Sequence, residues 1–429
     1  MRFIVYAVVS AALVLTALAV YVEGLYALDP VRPPAEPSRP LPPASAIIAA
    51  YLPNESATIV DTVQAFLALD HAPGLQVVLA YNTPRPLPVE QTLADLADAD
   101  PRLLLLRVRG STSKAQNVNA ALDVVTGQIV GIFDADHHPE QGSFARAWRW
   151  LSNGYGVVQG HCVIRNGAAS RTSRTVAVEF ESIYAVSHPG RAQLHGFGVF
   201  GGSNGYWDTE LLRKVRMRGS MLTEDIDSSM RVVLRGQRIA SDPGLVSREL
   251  APTRLGALAG QRLRWAQGWF QVSLEYGRTT MASPRLTGRQ KAGMLFMLGW
   301  REAYPWISLQ IFPLLAYALT HPRTEPAHWL LPLFVLTTLF TGGVGSIQAV
   351  FAYLLAVPDV RRHRSWFVVY ALLTAPLYSE FKNAIGRTAQ LKQLMGERHW
   401  RVTARTDKPG PEPQQYDQQS PAGNSEQAA

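Results

Sequence analysis

The stretch "GQIVGIFDADHHPE", residues 127–140, decides how the chain is read. Its first half is a short apolar run, β-branched and opening on glycine, the pattern of a buried strand. The run stops on Asp134 and Asp136, whose carboxylates need water or a positive partner. The spacing alone says little, since Asp98/Asp100 and Asp225/Asp227 repeat it. Asp98 and Asp100 sit in the polar "LADLADADPR", which runs into Pro101 and reads as a solvated helix end. Asp134 and Asp136 differ because a strand places them. In an open α/β sheet the carboxyl ends of strands are where ligands bind.

Strands and helices alternate around this stretch. "SAIIAAYLP", "LQVVLA", "RLLLLRV" and "YGVVQG" read as further strands, while "SATIVDTVQAFLAL", "SKAQNVNAALDVV" and "QGSFARAWRWLS" read as helices between them. That order predicts an α/β domain, with a mostly parallel sheet and helices on both faces.

The chain of 429 residues carries 41 Lys+Arg against 33 Asp+Glu, a formal charge of +8. A basic balance suits an anionic membrane face or a phosphorylated substrate. No zinc-finger spacing, RNA-binding signature or lysine-rich arm accompanies it, so nucleic acid is not an expected partner. The lone Cys162 excludes an intramolecular disulfide and reads as a small buried hydrophobe.

Hydrophobic residues are concentrated at the two ends. Residues 3–22 form a 20-residue run without charge, long enough to span a bilayer. We read residues 1–25 as an N-terminal transmembrane anchor, with a cleavable signal peptide as the competing reading. A proline-rich linker, 26–43, leads to the soluble domain, 44–290. Segments 304–320 and 329–357 look like two more spans, while the 13 residues of 366–378 suit an interfacial element better. The cluster "RRHR" (361–364), Lys382, Arg387 and Lys392 should face the cytoplasm. Three spans satisfy this and place residues 44–290 in the cytoplasm. The membrane and interfacial helices then occupy 291–386, and the tail, 407–429, is disordered by composition.

Two more motifs carry chemistry. "MLTEDIDSSMRVVLRG" (221–236) puts Glu224, Asp225 and Asp227 in the first turn of a helix, with Thr223 as N-cap. Acids there complement the helix dipole. Asp225, beside an Asp-x-Asp strand end, also suits a base that takes a proton from an attacking hydroxyl. In "QRLRW" (261–265), Gln261, Arg264 and Trp265 share one helix face, offering a donor, a cation and a flat apolar surface.

Together these motifs resemble the family 2 glycosyltransferases, particularly the membrane branch of cellulose, hyaluronan and poly-N-acetylglucosamine synthases. "YLPNES" (51–56), "SKAQNVNAAL" (113–122), "FDAD", "FGGSNGYW" (200–207), "TED" and "QRLRW" fall in the family's order. The resemblance implies a GT-A arrangement of the sheet. It implies Asp225 as the catalytic base and Asp136 as ligand of a divalent metal, Mg2+ or Mn2+. Asn54, Glu55, Asn82, Lys114, Asn119 and Asp134 would hold the donor. Gly202, Ser203, Glu224, Gln261, Arg264 and Trp265 would line the acceptor site. "WRVTARTDK" (400–408) resembles a gating loop, 387–406, in which Thr403 and Arg405 would close over the donor diphosphate. One departure stands out. The family's base-reading aspartate is replaced here by "YN", Tyr81 and Asn82. His137 and His138 are extra, and we expect supporting places for them.

The implied activity is transfer of a sugar, with inversion, from a nucleotide-sugar donor, expected to be a UDP-hexose. The acceptor is a growing polysaccharide at the inner face of the membrane or, alternatively, a lipid. A complete QRLRW and the gating-like loop tilt the sequence reading to the polymer. A homo-oligomer or an export partner would suit that reading.

Overall fold

A computed structural model describes residues 2–320 and 330–397. Thr403, Arg405 and the 407–429 tail lie outside them.

One sheet of eight strands organises the soluble domain. In chain order the strands are β1 (Ala44–Tyr51), β2 (Leu75–Asn82), β3 (Leu103–Arg107), β4 (Ile129–Asp134), β5 (His138–Pro139), β6 (Val157–Ile164), β7 (Gly205–Asp208) and β8 (Ile239–Glu249). They lie side by side as β3-β2-β1-β4-β7-β6-β8-β5. The sheet is mixed, which corrects the mostly parallel expectation. β1 pairs in parallel with β2 and β4, and β2 with β3. β7 runs antiparallel to both β4 and β6, and β8 is parallel to β6 but antiparallel to β5.

Side chains alternate along β1 and feed two cores. Ile47 and Ala49 pack with Ala115 and Val118 of the helix Lys114–Ala121. Ala46 and Ile48 pack on the other face with Val63 and Phe66 of the helix Ile59–Leu67. Burial on both faces is why these strands read as continuous apolar runs. Phe133, the last apolar residue of β4, meets Phe66 at 4.7 Å and Tyr206 at 5.7 Å between ring centroids, both edge-on. Edge-to-face contacts add roughly 0.5–1.5 kcal/mol each beyond area burial.

The proline-rich segment is strapped to the domain. Arg149 Nε donates to Pro34 O at 2.6 Å, and Trp148 Nε1 donates to Arg39 O at 2.9 Å. The Arg39 guanidinium lies over the Trp148 ring. The N-terminal helix Arg2–Ala27 packs as part of the fold. Its buried Glu23 pairs with Arg191 at 2.9 Å, and its Thr16 hydroxyl accepts from Trp300 Nε1 at 2.8 Å.

Among the described residues, Ala7–Ala27 is the one helix long and apolar enough to cross a membrane. The expected spans at 304–320 and 329–357 are each interrupted. The first runs as Arg301–Leu309 and Ile311–Thr320, and the second occupies Leu330–Gly342 and Val344–Leu355. Pro305 and Pro313, which lack an N–H, flank the first interruption, and Gly343 makes the second. The segment 366–378, expected as a short interfacial element, is part of a longer helical run, from Arg364–Val369 through a π-turn, Tyr370–Thr374, into Ala375–Leu394. Pro376 follows directly on that π-turn, the kind of local widening at which a helix accommodates a residue lacking an N–H. Residues 387–394, the start of the expected gating-loop-like segment 387–406, continue this helix, and residues 398–406 lie outside the described residues. Leu372, Leu373 and Leu377 point outward, 67–77% exposed.

Candidate active site

The carboxyl ends of β1, β2 and β4 open into a cleft of about 540 Å³. Asn54 and Glu55, in the single turn Leu52–Glu55 after β1, line it, with Asn54 Nδ2 donating to Glu55 Oε1 at 3.1 Å. Asn82 ends β2 and also lines it. Its amide donates to Ser111 O at 3.0 Å and its oxygen accepts from Asn117 at 2.9 Å.

Lys114 opens the helix capped by Ser113, whose hydroxyl accepts from Gln116 N. From there its ammonium reaches Asp134 Oδ1 at 2.5 Å and Gly202 O at 2.6 Å. Burial alone would lower the Lys114 pKa, but the carboxylates of Asp134, Glu224 and Asp225 outweigh it and raise it. Gly202 has φ +95°, and a Cβ there would lie 2.9 Å from Asp225 Oδ2. Glycine is required at 202 on both counts. Asp134, Lys114, Gly202 and Asp225 thus form one continuous wall.

Glu224 and Asp225 begin the helix Glu224–Leu234 and both line the cleft. The Asp225 carboxyl is pushed up to about 7, first by burial and then by the Glu224 carboxylate, with Lys114 acting the other way. Burial raises Glu224 too, against the positive charges of Lys114 and Arg264. A carboxyl poised near neutrality in a cleft is a candidate base. Thr223 stands at the N-cap position but makes no cap bond. Its side chain instead abuts Gly268, where a Cβ would meet it at 2.5 Å. Asp227 is no solvated dipole partner. It is fully buried, bonded to Arg231 and to the Tyr276 hydroxyl at 2.6 Å.

Gln261, Arg264 and Trp265 line the cleft from the helix Leu255–Ala282, and Trp269 extends their face by one turn. Arg262, within the same motif, had no expected part. It pairs with buried Glu179 at 2.6 Å and stacks over Trp265 at 4.2 Å. Burial would raise Glu179, but the charges of Arg262 and then Lys382 hold it at about 2. Stacked basic side chains beside a motif tryptophan are a signal that the spacing rule skips.

Three expected positions fall elsewhere. Asn119 is outside the cleft: its amide clamps Met217, donating to O at 2.7 Å and accepting from N at 2.9 Å. Asn117, three residues after Lys114 on the same helix face, lines the cleft instead. Ser203 is buried and its hydroxyl accepts from Asp134 N at 2.9 Å, so it holds the strand end. Asp136 is fully buried beneath the cleft, its Oδ2 accepting from Leu250 N at 3.1 Å. Glu249, the residue before Leu250, does line the cleft. Buried His137 bonds Ser247 Oγ at 3.0 Å, and its Nε2 is 3.7 Å from Glu249. With Cys162, also buried, His137 and Glu249 bring three ligand-type atoms within 4.8 Å of one another. His138 pairs with Asp61 at 3.2 Å on the outside.

Poised acids, a lysine-held aspartate at a strand end and an aromatic helix face thus share one cleft at the carboxyl ends of an α/β sheet. The description "glycosyltransferase like family 2" matches residues 42–268, more than half the chain, and the protein belongs to that family. It is 26% identical over 255 residues to a poly-beta-1,6-N-acetyl-D-glucosamine synthase of Staphylococcus aureus, covering 56% of this chain and 57% of that protein. It is 26% identical over 315 residues to a beta-monoglucosyldiacylglycerol synthase of Synechocystis, covering 71% and 61%. The chain thus spans about 57–61% of the length of these relatives. A mannosyltransferase of Pyrobaculum calidifontis, solved with GDP-Man and Mn2+, shares the fold at a TM-score of 0.60 and 19% identity, covering 93% of this chain and all of that one.

Proposed function

We propose that the protein is an inverting hexosyltransferase that moves a sugar from a nucleotide donor to a lipid acceptor at the inner face of the membrane. The observation that carries this is the course of the cleft. It runs from the strand ends at Asn82 and Asp134, past Asp225, to Val20 of the N-terminal helix and to Tyr370 and Ile385 of the C-terminal helices. A lipid in the bilayer can present a hydroxyl to Asp225 along that path.

The nucleotide lies over Asn54, Glu55, Asn82 and Lys114. Asparagine at 82 donates as well as accepts, so it can read a uracil edge. Asp225 takes the acceptor proton as the oxygen attacks the anomeric carbon from the face opposite the leaving diphosphate. Lys114, held by Asp134, supplies positive charge toward that diphosphate. Asp134 at the end of β4 and Glu249 at the end of β8 line the cleft, with buried Asp136 two residues beyond Asp134, and their carboxylate oxygens are of the hard kind that suits Mg2+ or Mn2+. Such a metal would neutralise charge on the leaving diphosphate. Gln261, Arg264 and Trp265 orient the acceptor.

The membrane reading rests on Ala7–Ala27 and on the two interrupted apolar segments. Gly343 N still donates to Leu339 O at 3.0 Å, and Ile347 N to Gly343 O at 2.9 Å, so the helical path continues through the kink. Three crossings, with residues 44–290 in the cytoplasm, remain our topology, and 364–394 lies along the inner face.

A polysaccharide acceptor is the second reading, favoured by the complete QRLRW and the synthase relative. A panel of labelled nucleotide sugars, supplied to the purified full chain with membrane lipid extract, decides between them. The glycolipid reading expects one donor to yield a chloroform-soluble product one hexose heavier than its lipid. Label confined to a water-soluble ladder would establish the polymer instead.

A further inference from the structure

At its membrane-side end the cleft turns basic. Arg191, on the helix His188–His195, and Arg301, which opens Arg301–Leu309, both line it and lie close enough for their charges to oppose each other. Arg191 Nε holds Glu23 at 2.9 Å, and Arg301 Nη1 holds Glu302 at 3.1 Å while its plane rests on the Trp269 ring at 4.2 Å. The side chains are 41% and 38% exposed, and both line the cleft. Two fixed guanidinium forks at like-charge cost are a recognition element for phosphate, which they bind bidentately.

A second observation stands between this end and the reaction centre. His188, one turn before Arg191, lines the cleft with its Nδ1 buried and without a hydrogen-bond partner. Its ring lies 4.9 Å from Tyr184, and a Cβ on Gly201 would be 3.6 Å from its Cε1. Gly202, the next residue, touches Asp225. A buried polar atom left unpaired is costly, and a ligand hydroxyl would remove that cost. Burial, and then Arg191, push the His188 pKa down to about 3, so the imidazole is neutral and can accept or donate.

We propose that Arg191 and Arg301 seat the phosphate of an anionic lipid headgroup, with His188 receiving a headgroup hydroxyl on its way to Asp225. This deepens, and rests on, the glycolipid reading. The acyl chains leave past Val20 and Tyr370. The acceptor is then a phospholipid carrying a free hydroxyl beyond its phosphate.

Binding of dioctanoyl phosphatidylglycerol, dioctanoylglycerol and sn-glycerol 3-phosphate to the full chain in detergent tests this by calorimetry. Phosphatidylglycerol should bind about 10-fold or more tightly than either, since each tenfold is about 1.4 kcal/mol and two charge-assisted pairs supply more. Arg301→Gln should abolish the preference over dioctanoylglycerol. Arg191→Gln should do the same, but it strands buried Glu23, so Arg301→Gln is the cleaner variant. Equal affinity for the two lipids, or a preference untouched by Arg301→Gln, would overturn the proposal. Free glycerol phosphate binding as tightly as the lipid would overturn the lipid source. Sugar transfer to dioctanoylglycerol without any phosphate preference would sink this site while leaving the glycolipid reading intact. A clear phosphate preference without transfer to any lipid would uphold the site and sink that reading.

Discussion

At the residue scale the account turns on one carboxyl. Asp225 must be ionised to accept a proton, and its pKa sits at about 7 because burial and Glu224 both oppose the charge. Turnover should therefore rise with pH through an acid limb near neutrality and level off above it. Lys114 pulls the Asp225 pKa down. Lys114→Met should move the limb to higher pH, with transfer reduced roughly 10-fold or more through the lost charge on the donor. A limb that stays in place would mean that Asp225 is not the group titrating. The same raised carboxyl has a stability consequence of opposite sense. Between its unfolded value near ~3.9 and its folded value, the native state holds a proton that the unfolded chain has released. Stability should fall as pH rises through that window.

At the element scale, position 268 shows how a single missing methyl places the chemistry. The helix Leu255–Ala282 approaches the Thr223 turn so closely that a Cβ at Gly268 would lie 2.8 Å from Thr223 N. Alanine is the better helix former by about 1 kcal/mol, but overpacking here costs roughly 1–3 kcal/mol and displaces Asp225 two residues on. Gly268→Ala should lower both the unfolding midpoint and the transfer rate. A more stable variant with unchanged rate would remove this contact from the account. Elements of this kind divide into those the sequence reveals and those it hides. β1, β2, β4 and β6 were legible because burial on both faces makes uninterrupted apolar runs, and β3 was legible from its leucine run although Leu104 is exposed. β8 was hidden by Pro243 and Gly244 in its middle and by the register shift opposite Gly160/His161. β7, four residues long, is below what periodicity can register. The family resemblance implies Asn119 as a donor ligand. Yet residues 114 and 119 are five apart, about 140° around a helix, so they cannot share a face, whereas 114 and 117 can. The sequence pattern puts Asp134 and Asp136 together at one strand end. β4 ends at Asp134, and the turn beyond it carries Asp136 beneath the cleft.

At the scale of the whole molecule, the catalytic domain and the apolar helices form one piece. Buried Glu179 is bonded by Arg262 of the cleft helix and by Tyr378 and Lys382 of the C-terminal helix. Removing one partner of such a buried pair costs about 3–5 kcal/mol, so Arg262→Ala should lower the unfolding midpoint of the whole domain and not only slow transfer. The proposed topology places the end of that helix in the cytoplasm. Met395, 69% exposed, reports it: Met395→Cys in a Cys162→Ser background should react with an impermeant thiol reagent only after the cells are permeabilised. Labelling in intact cells would invert the topology and put the cleft on the side that lacks nucleotide sugars.

The central claim is that this cleft transfers a sugar with Asp225 as base, and Asp225→Asn tests it most directly because it keeps the shape and removes the basicity. Nucleotide binding and single-turnover sugar transfer should be measured side by side on the purified full chain. The account predicts that the variant binds donor nucleotide with near wild-type affinity while transfer falls by about 10²-fold or more, the usual contribution of a general base. Transfer by Asp225→Asn within a few fold of wild type would contradict it.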